Sequence, residues 1–285
     1  MKFKFNFLIL FLLIIFASSC NNKNNTPQEK EKVVSFDLTE EDSEDYSYVL
    51  PSPLQIAYIF KKSGLIFYSE LINDSKKAYT YTNKINIYLN FGIYSTDLYY
   101  CLINDQLQEA IEYSNSLVEL SERLDLSGVI NSNNIKTRFS NNINSKDSLT
   151  FIANTLKESI DEYYEEKKEK YYLPIFFTGA WVEGMYIGSN VLELESQKNN
   201  ILLQTLLEQM AILDNLIIGL RTYPIAEDID PIIKDLTEIK NIFNEFESIK
   251  GKNLDDISFK NIYISKHELK KLSSKIKELR TKITS

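Results

Sequence analysis

The chain has 285 residues, 44% of them hydrophobic, 12% aromatic and 25% charged, which is enough apolar material for one large domain or two smaller ones. Eight glycines and six prolines exclude collagen-like, low-complexity and turn-rich all-β organisation. With 32 basic against 40 acidic residues the net charge is −8, which disfavours nucleic acid as a partner.

The first twenty residues read as an address. Lys2 and Lys4 form a short basic region, and an apolar run follows from Phe5 to Ala17. That run is shorter than the ~18 to 20 residues a helix needs to cross a bilayer. It reads as the apolar core of a signal peptide over residues 1–19, ending in the small residues Ala17, Ser18 and Ser19. The Cys that comes next resembles the lipidated residue of a bacterial lipobox, with Ala17 standing where Leu is most common. Cys20 is thus the expected lipidation site and first residue of the mature chain, with palmitate-type acyl chains as the membrane anchor. The plainer alternative is ordinary secretion with an incidental Cys. Cleavage removes two lysines and no acid, so the mature body becomes more acidic and an anionic bilayer repels it. The lipid would therefore hold the protein. Asn21 follows the Cys without an Asp of the kind that resembles an inner-membrane retention signal, so the outer membrane is the expected location, on either of its faces.

Residues 20–46 are polar and almost without periodicity, with an Asn-, Lys- and Glu-rich half and an acid cluster from Asp37 to Asp45. This composition predicts a disordered tether spanning about 25 to 30 Å as a random coil. Residues 47–285 are read as one helical domain.

Ser52, Pro53 and Gln55 carry the marks of a helix start, and Gly64 of a stop, predicting a helix near 53–63. A long helix is predicted from Ser75 to Ile103, with Gly92 as a site for a bend. Asp105 with Gln108 reads as a capping box for a helix ending before Gly128. One short helix is expected within Asn131–Ser145, and Asp147 or Ser148 opens the next. Pro174 starts the most apolar helix of the mature chain, ending near Leu194. Ile201–Leu220 follows as one helix, and Pro231 starts another that runs to about Ile249. After a β-prone run, Ile257–Ile264, Ser265 and Glu268 form a capping box for the last helix. Period 3.6 dominates, so the fold class is all-α: an irregular bundle of about eight antiparallel helices, with a short helical-hairpin solenoid as the alternative. No 34-residue repeat register is present.

The chemistry these residues can support is narrow. A single His, His267, and a single thiol besides Cys20, Cys101, leave no zinc site of ordinary type and no catalytic triad. Phosphate-loop, dinucleotide and nucleophile-elbow motifs are absent, and no catalytic residue, cofactor or metal is called for. His267 reads as a surface residue beside a helix cap, and Cys101, among apolar neighbours, as a buried inert thiol. Glu183 stands out because it lies inside the apolar stretch Thr178–Ser189, where an acid is costly unless paired or functional. The structural reading is a hydrogen bond to a neighbouring helix, with Gly179, Ala180, Gly184 and Gly188 serving close helix crossing. Asn90, Tyr94 and Asp97 share one face at i, i+4 and i+7. If that face meets the Glu183 helix, then Asn90, Tyr94, Asp97, Trp181, Glu183 and Tyr186 form a polar, aromatic-lined niche suited to a cationic or sugar ligand.

Three strings, Leu50–Ala57, Leu89–Leu98 and Trp181–Ile187, resemble an uncharacterised family of all-helical lipoproteins from Bacteroidetes. The resemblance implies a helical, lipid-anchored envelope protein and supplies no activity. The expected function is a non-enzymatic binding or structural module of the envelope, its partners the membrane through the anchor and another envelope protein. The alternatives are a small-ligand receptor using the niche and a cell-wall enzyme using Glu183.

Overall fold

Two stretches of the chain are apolar on every side, and a helix of that kind has to be enclosed by others. They are α2 (Lys84–Ile103) and α7 (Leu173–Leu194), in which nearly every residue is buried. They form the centre of the computed structural model, which describes residues 53–142, 144–195, 200–252 and 262–285. Signal peptide, Cys20, tether and the Ser52 cap lie outside the described residues, as does most of the β-prone run.

The central pair meets backbone to backbone. A Cβ added at Gly179 would overlap the Leu89 carbonyl oxygen, and one at Gly92 the Phe176 carbonyl oxygen. Helix α1 (Pro53–Lys62) uses the next two small residues of α7, with Ile56 seated on Gly184 and Phe60 on Gly188. Both contacts step by four residues, so α1 and α7 run in the same sense.

Amphipathic helices enclose this centre. Helix α3 (Leu107–Glu122) packs on α2, followed by the short α4 (Ser127–Ser132) and α5 (Ile135–Asn141). Helix α6 (Lys146–Glu166) covers α4, α5 and part of α2, while α8 (Asn200–Met210) and α9 (Leu213–Leu220) lie against α7. Helix α10 (Ala226–Asn244) packs on α11 (Lys266–Thr284), which in turn packs on α7 and α2. Helix makes up 77% of the described residues, with no strand among them. The all-α reading holds. A solenoid does not fit, because its repeats touch only their neighbours whereas α7 touches α1, α2, α8, α9 and α11.

Several boundaries differ from the sequence expectation, each for a local reason. The predicted 75–103 helix is a 3₁₀ turn, Ser75–Tyr79, followed by α2, whose start is capped by the Asn83 side chain. Asp105 takes a left-handed conformation (φ 60°) and ends α2: its N–H donates to Leu102 O and that of Gln106 to Cys101 O. It thus serves the stop of one helix instead of the start of the next. Ser145 caps α6, and residues 131–145 hold the end of α4 as well as all of α5. The 201–220 stretch breaks into α8 and α9 at Ala211 and Ile212. Pro231 lies inside α10, which begins at Ala226. Asn200–Leu220 is long and apolar enough to cross a membrane, and half of its most apolar window is buried in the body.

Candidate functional site

Helix α2 carries Asp97 and α7 carries Glu183 to the same point in the core, where both are fully buried and close enough for each charge to act on the other. Glu183 faces Arg280 of α11 in a planar fork: Arg280 Nε donates to Oε2 at 2.6 Å and Nη2 to Oε1 at 2.8 Å. Nη2 also donates to Leu71 O at 3.2 Å, and the guanidinium carbon stands 4.2 Å from the Tyr186 ring centre. Two parallel charge-assisted bonds and an aromatic face satisfy a cation that is almost enclosed.

The connection between α1 and α2 closes the site from the other side. Asn73 N–H donates to Asp97 Oδ2 at 3.1 Å, and its side-chain amide donates to Tyr81 OH. Tyr113 OH donates to Asn73 O, and Tyr94 OH donates to Asp74 O at 2.6 Å. Arg123 of the α3 end donates to Tyr81 O and Ala78 O and holds the same connection down. Among the described residues these groups and Arg280 enclose the two acids, neither of which is exposed.

Asp97 Oδ2 has the Asn73 N–H, whereas Oδ1 is buried and lacks a partner of ordinary donor type. Its remaining neighbour is the other carboxyl group. Burial, with the negative charge of Glu183, pushes the Asp97 carboxyl well above its usual range, against the pull of Arg280 and Asn73. The raised Asp97 carboxyl favours its protonated form in this enclosed setting. Burial opposes the Arg280 charge, and the Glu183 carboxylate outweighs it and holds the group above its usual value.

Of the niche residues read from sequence, Asp97, Glu183 and Tyr186 come together, with Tyr94 in the adjoining hydrogen-bond layer. Trp181 and Asn90 do not join them. Trp181 turns to α8, donating Nε1–H to Gln209 O at 3.0 Å. Asn90 donates to Ile283 O at 2.8 Å and so grips the end of α11. Arg280, Asn73, Tyr81 and Tyr113 were missed. Arg280 stands in a Lys-rich helix that reads as solvated, though Ser273, Ile276 and Arg280 recur at the spacing of its buried face.

Cys101 is fully buried one turn beyond Asp97, and burial pushes its thiol up and away from reactivity. His267 is exposed beside the Ser265–Glu268 capping box. Among the described residues no three His, Cys, Asp or Glu side chains converge on a metal-sized site. No family model, no curated protein and no solved structure matches this chain.

Proposed function

We propose that this chain is a lipid-anchored envelope protein, of the outer membrane, whose helical body acts by binding or supporting another envelope protein and performs no catalysis. The address supports the anchor: two lysines, a short apolar run, three small residues and Cys20. The resemblance carried by Leu50–Ala57, Leu89–Leu98 and Trp181–Ile187 points the same way. For the body, the observation that carries the proposal is the fork between Arg280 and Glu183. A cationic ligand entering the niche would take the place Arg280 already fills, stacked on Tyr186. A cell-wall enzyme using Glu183 as its acid/base would need that carboxyl open to a sugar within hydrogen-bond reach. Here both acids are fully buried, Asp97 under the Asn73 backbone N–H and Glu183 in the Arg280 fork. Both facts weigh against the receptor and the enzyme readings.

Cross-linking in intact membranes followed by affinity isolation is expected to return a discrete envelope protein in stoichiometric yield. Isolation of the chain alone under every cross-linking condition would count against the binding role. Incubation with purified cell wall is expected to release no muropeptides, from either the wild type or Glu183→Gln. Release by the wild type that Glu183→Gln abolishes would replace this proposal with the enzymatic one.

A further inference from the structure

Helices α5 and α6 pack on each other, and a cleft of about 420 Å³, open to solvent, lies where they meet. That volume falls within the range of about 300–1,000 Å³ that small ligands occupy. Helix α5 and its end supply Arg138 and Asn142, and the first two turns of α6 supply Asp147, Ser148, Phe151 and Ile152. Spacings of three and four residues put each set on one face of its helix. Ile152 is buried, whereas Phe151 is 66% exposed and leaves an apolar ring in water that an apolar ligand group would cover.

The polar side of the cleft has donors and acceptors to spare. Of the four arginines in the chain, Arg123 and Arg280 are held by backbone carbonyls and the Glu183 carboxylate, and Arg221 is exposed. Arg138 is half-buried, and its guanidinium has no hydrogen bond or ion pair among the described residues. Asn142 donates its side-chain amide to Arg138 O at 2.8 Å, which fixes Asn142 and leaves its Oδ1 to accept. Ser145 Oγ donates to Ser148 Oγ at 2.8 Å, so the Ser148 hydroxyl keeps its own proton to donate. Asp147 is exposed and pairs with no cation among the described residues. One guanidinium matches one carboxylate through two parallel bonds. A phosphate, with about two negative charges, would meet a single cation and the Asp147 carboxylate beside it. The remaining acceptors, Asn142 Oδ1 and Asp147, suit N–H groups. A carboxylate, an adjacent apolar side chain and N–H groups occur together at the carboxyl end of a polypeptide.

We propose that this cleft binds the carboxyl-terminal end of a peptide whose last residue is apolar. The terminal carboxylate meets Arg138 and the Ser148 hydroxyl, the last side chain lies against Phe151 and Ile152, and the peptide N–H groups donate to Asn142 Oδ1 and Asp147. This names a partner chemistry for the binding role proposed above and rests on that reading. It does not depend on Cys20 being lipidated.

The test is titration calorimetry on the full mature chain with acetyl-Ala-Ala-Phe as the free acid and as its carboxamide. The acid is expected to bind one-to-one, the amide at least about tenfold more weakly, and the affinity of the acid to fall with added salt, which screens an ion pair open to solvent. Arg138→Gln is expected to bring the acid down to the level of the amide, and Phe151→Ala to weaken both peptides several-fold. Neither side chain has a polar or ring partner among the described residues, so both variants are expected to melt with the wild type. Arg221→Gln, outside the cleft, is expected to bind as the wild type does. Equal binding of acid and amide, no saturable binding, or wild-type affinity in Arg138→Gln would overturn the proposal. Free phenylalanine binding more tightly than the peptide would assign the cleft to a small amino acid and overturn it as well. A failed titration beside a positive cross-link in membranes would strike the cleft alone and leave the binding role standing.

Discussion

Arg280 joins three parts of the fold through one guanidinium: α11 through its own backbone, α7 through Glu183 and the α1–α2 connection through Leu71 O. Removing it leaves the Glu183 carboxylate buried without a cation, and breaking a buried pair in this way costs about 3–5 kcal/mol. Arg280→Ala is accordingly expected to lose that much stability in urea unfolding, and Arg280→Lys to recover only part, since an ammonium lacks the planar fork. Asp97 gives the opposite sign. Its carboxyl is pushed up by burial, so the folded protein keeps a proton that the unfolded chain releases around the ordinary Asp value of 3.8. The stability this proton contributes is full below that pH and is lost as pH rises towards the folded value. Asp97→Asn keeps an oxygen to accept from Asn73 N–H and removes the ionisable group. The variant is expected to be more stable than the wild type at pH 8, with the difference vanishing near pH 4. A wild type that is the more stable of the two at pH 8 would contradict a neutral Asp97. Both acids were legible in the sequence because each interrupts an apolar stretch. Their cation was not, because lysines surround Arg280 and only the periodicity of buried positions sets it apart.

Among the elements, the two most apolar helices were the easiest to read and the most consequential. Their contact depends on Gly92 and Gly179, where the partner's backbone occupies the space a methyl group would need. Gly179→Ala is expected to cost at least about 3 kcal/mol, because backbone cannot yield as a flexible side chain can. Gly128→Ala in α4 meets open space and is expected to stabilise by about 0.5–1 kcal/mol. Equal melting temperatures for the two variants would rule out the close crossing. Helix ends were read less well than helix middles. With so few glycines the chain ends α2, α3 and α6 on Asp105, Asp125 and Lys168 in left-handed conformations. A reading that looks for Gly at stops passes over them, and it assigned Asp105 to the next helix. Lys168 is exposed and makes its turn at a steric cost, so Lys168→Gly is expected to raise stability by about 1 kcal/mol in thermal unfolding. The break at Ala211 and the start of α10 ahead of Pro231 carry no comparable sequence mark, and packing decides them.

At the scale of the whole molecule, the buried acids Asp97 and Glu183 are met by the chain's own groups among the described residues, which supports the proposal of a role at the surface and an anchor. An acidic body gains nothing from an anionic bilayer, so the proposed anchoring would rest on acyl chains at Cys20, at ~0.8 kcal/mol per buried CH₂. Metabolic labelling of producing cells with an alkyne-bearing palmitate, followed by fractionation, tests this claim most directly. The wild type is expected to carry the label and to sediment with membranes, while Cys20→Ser carries none and is released to the soluble fraction. A wild type without label, or a Cys20→Ser form that stays on the membrane in equal amount, would contradict it.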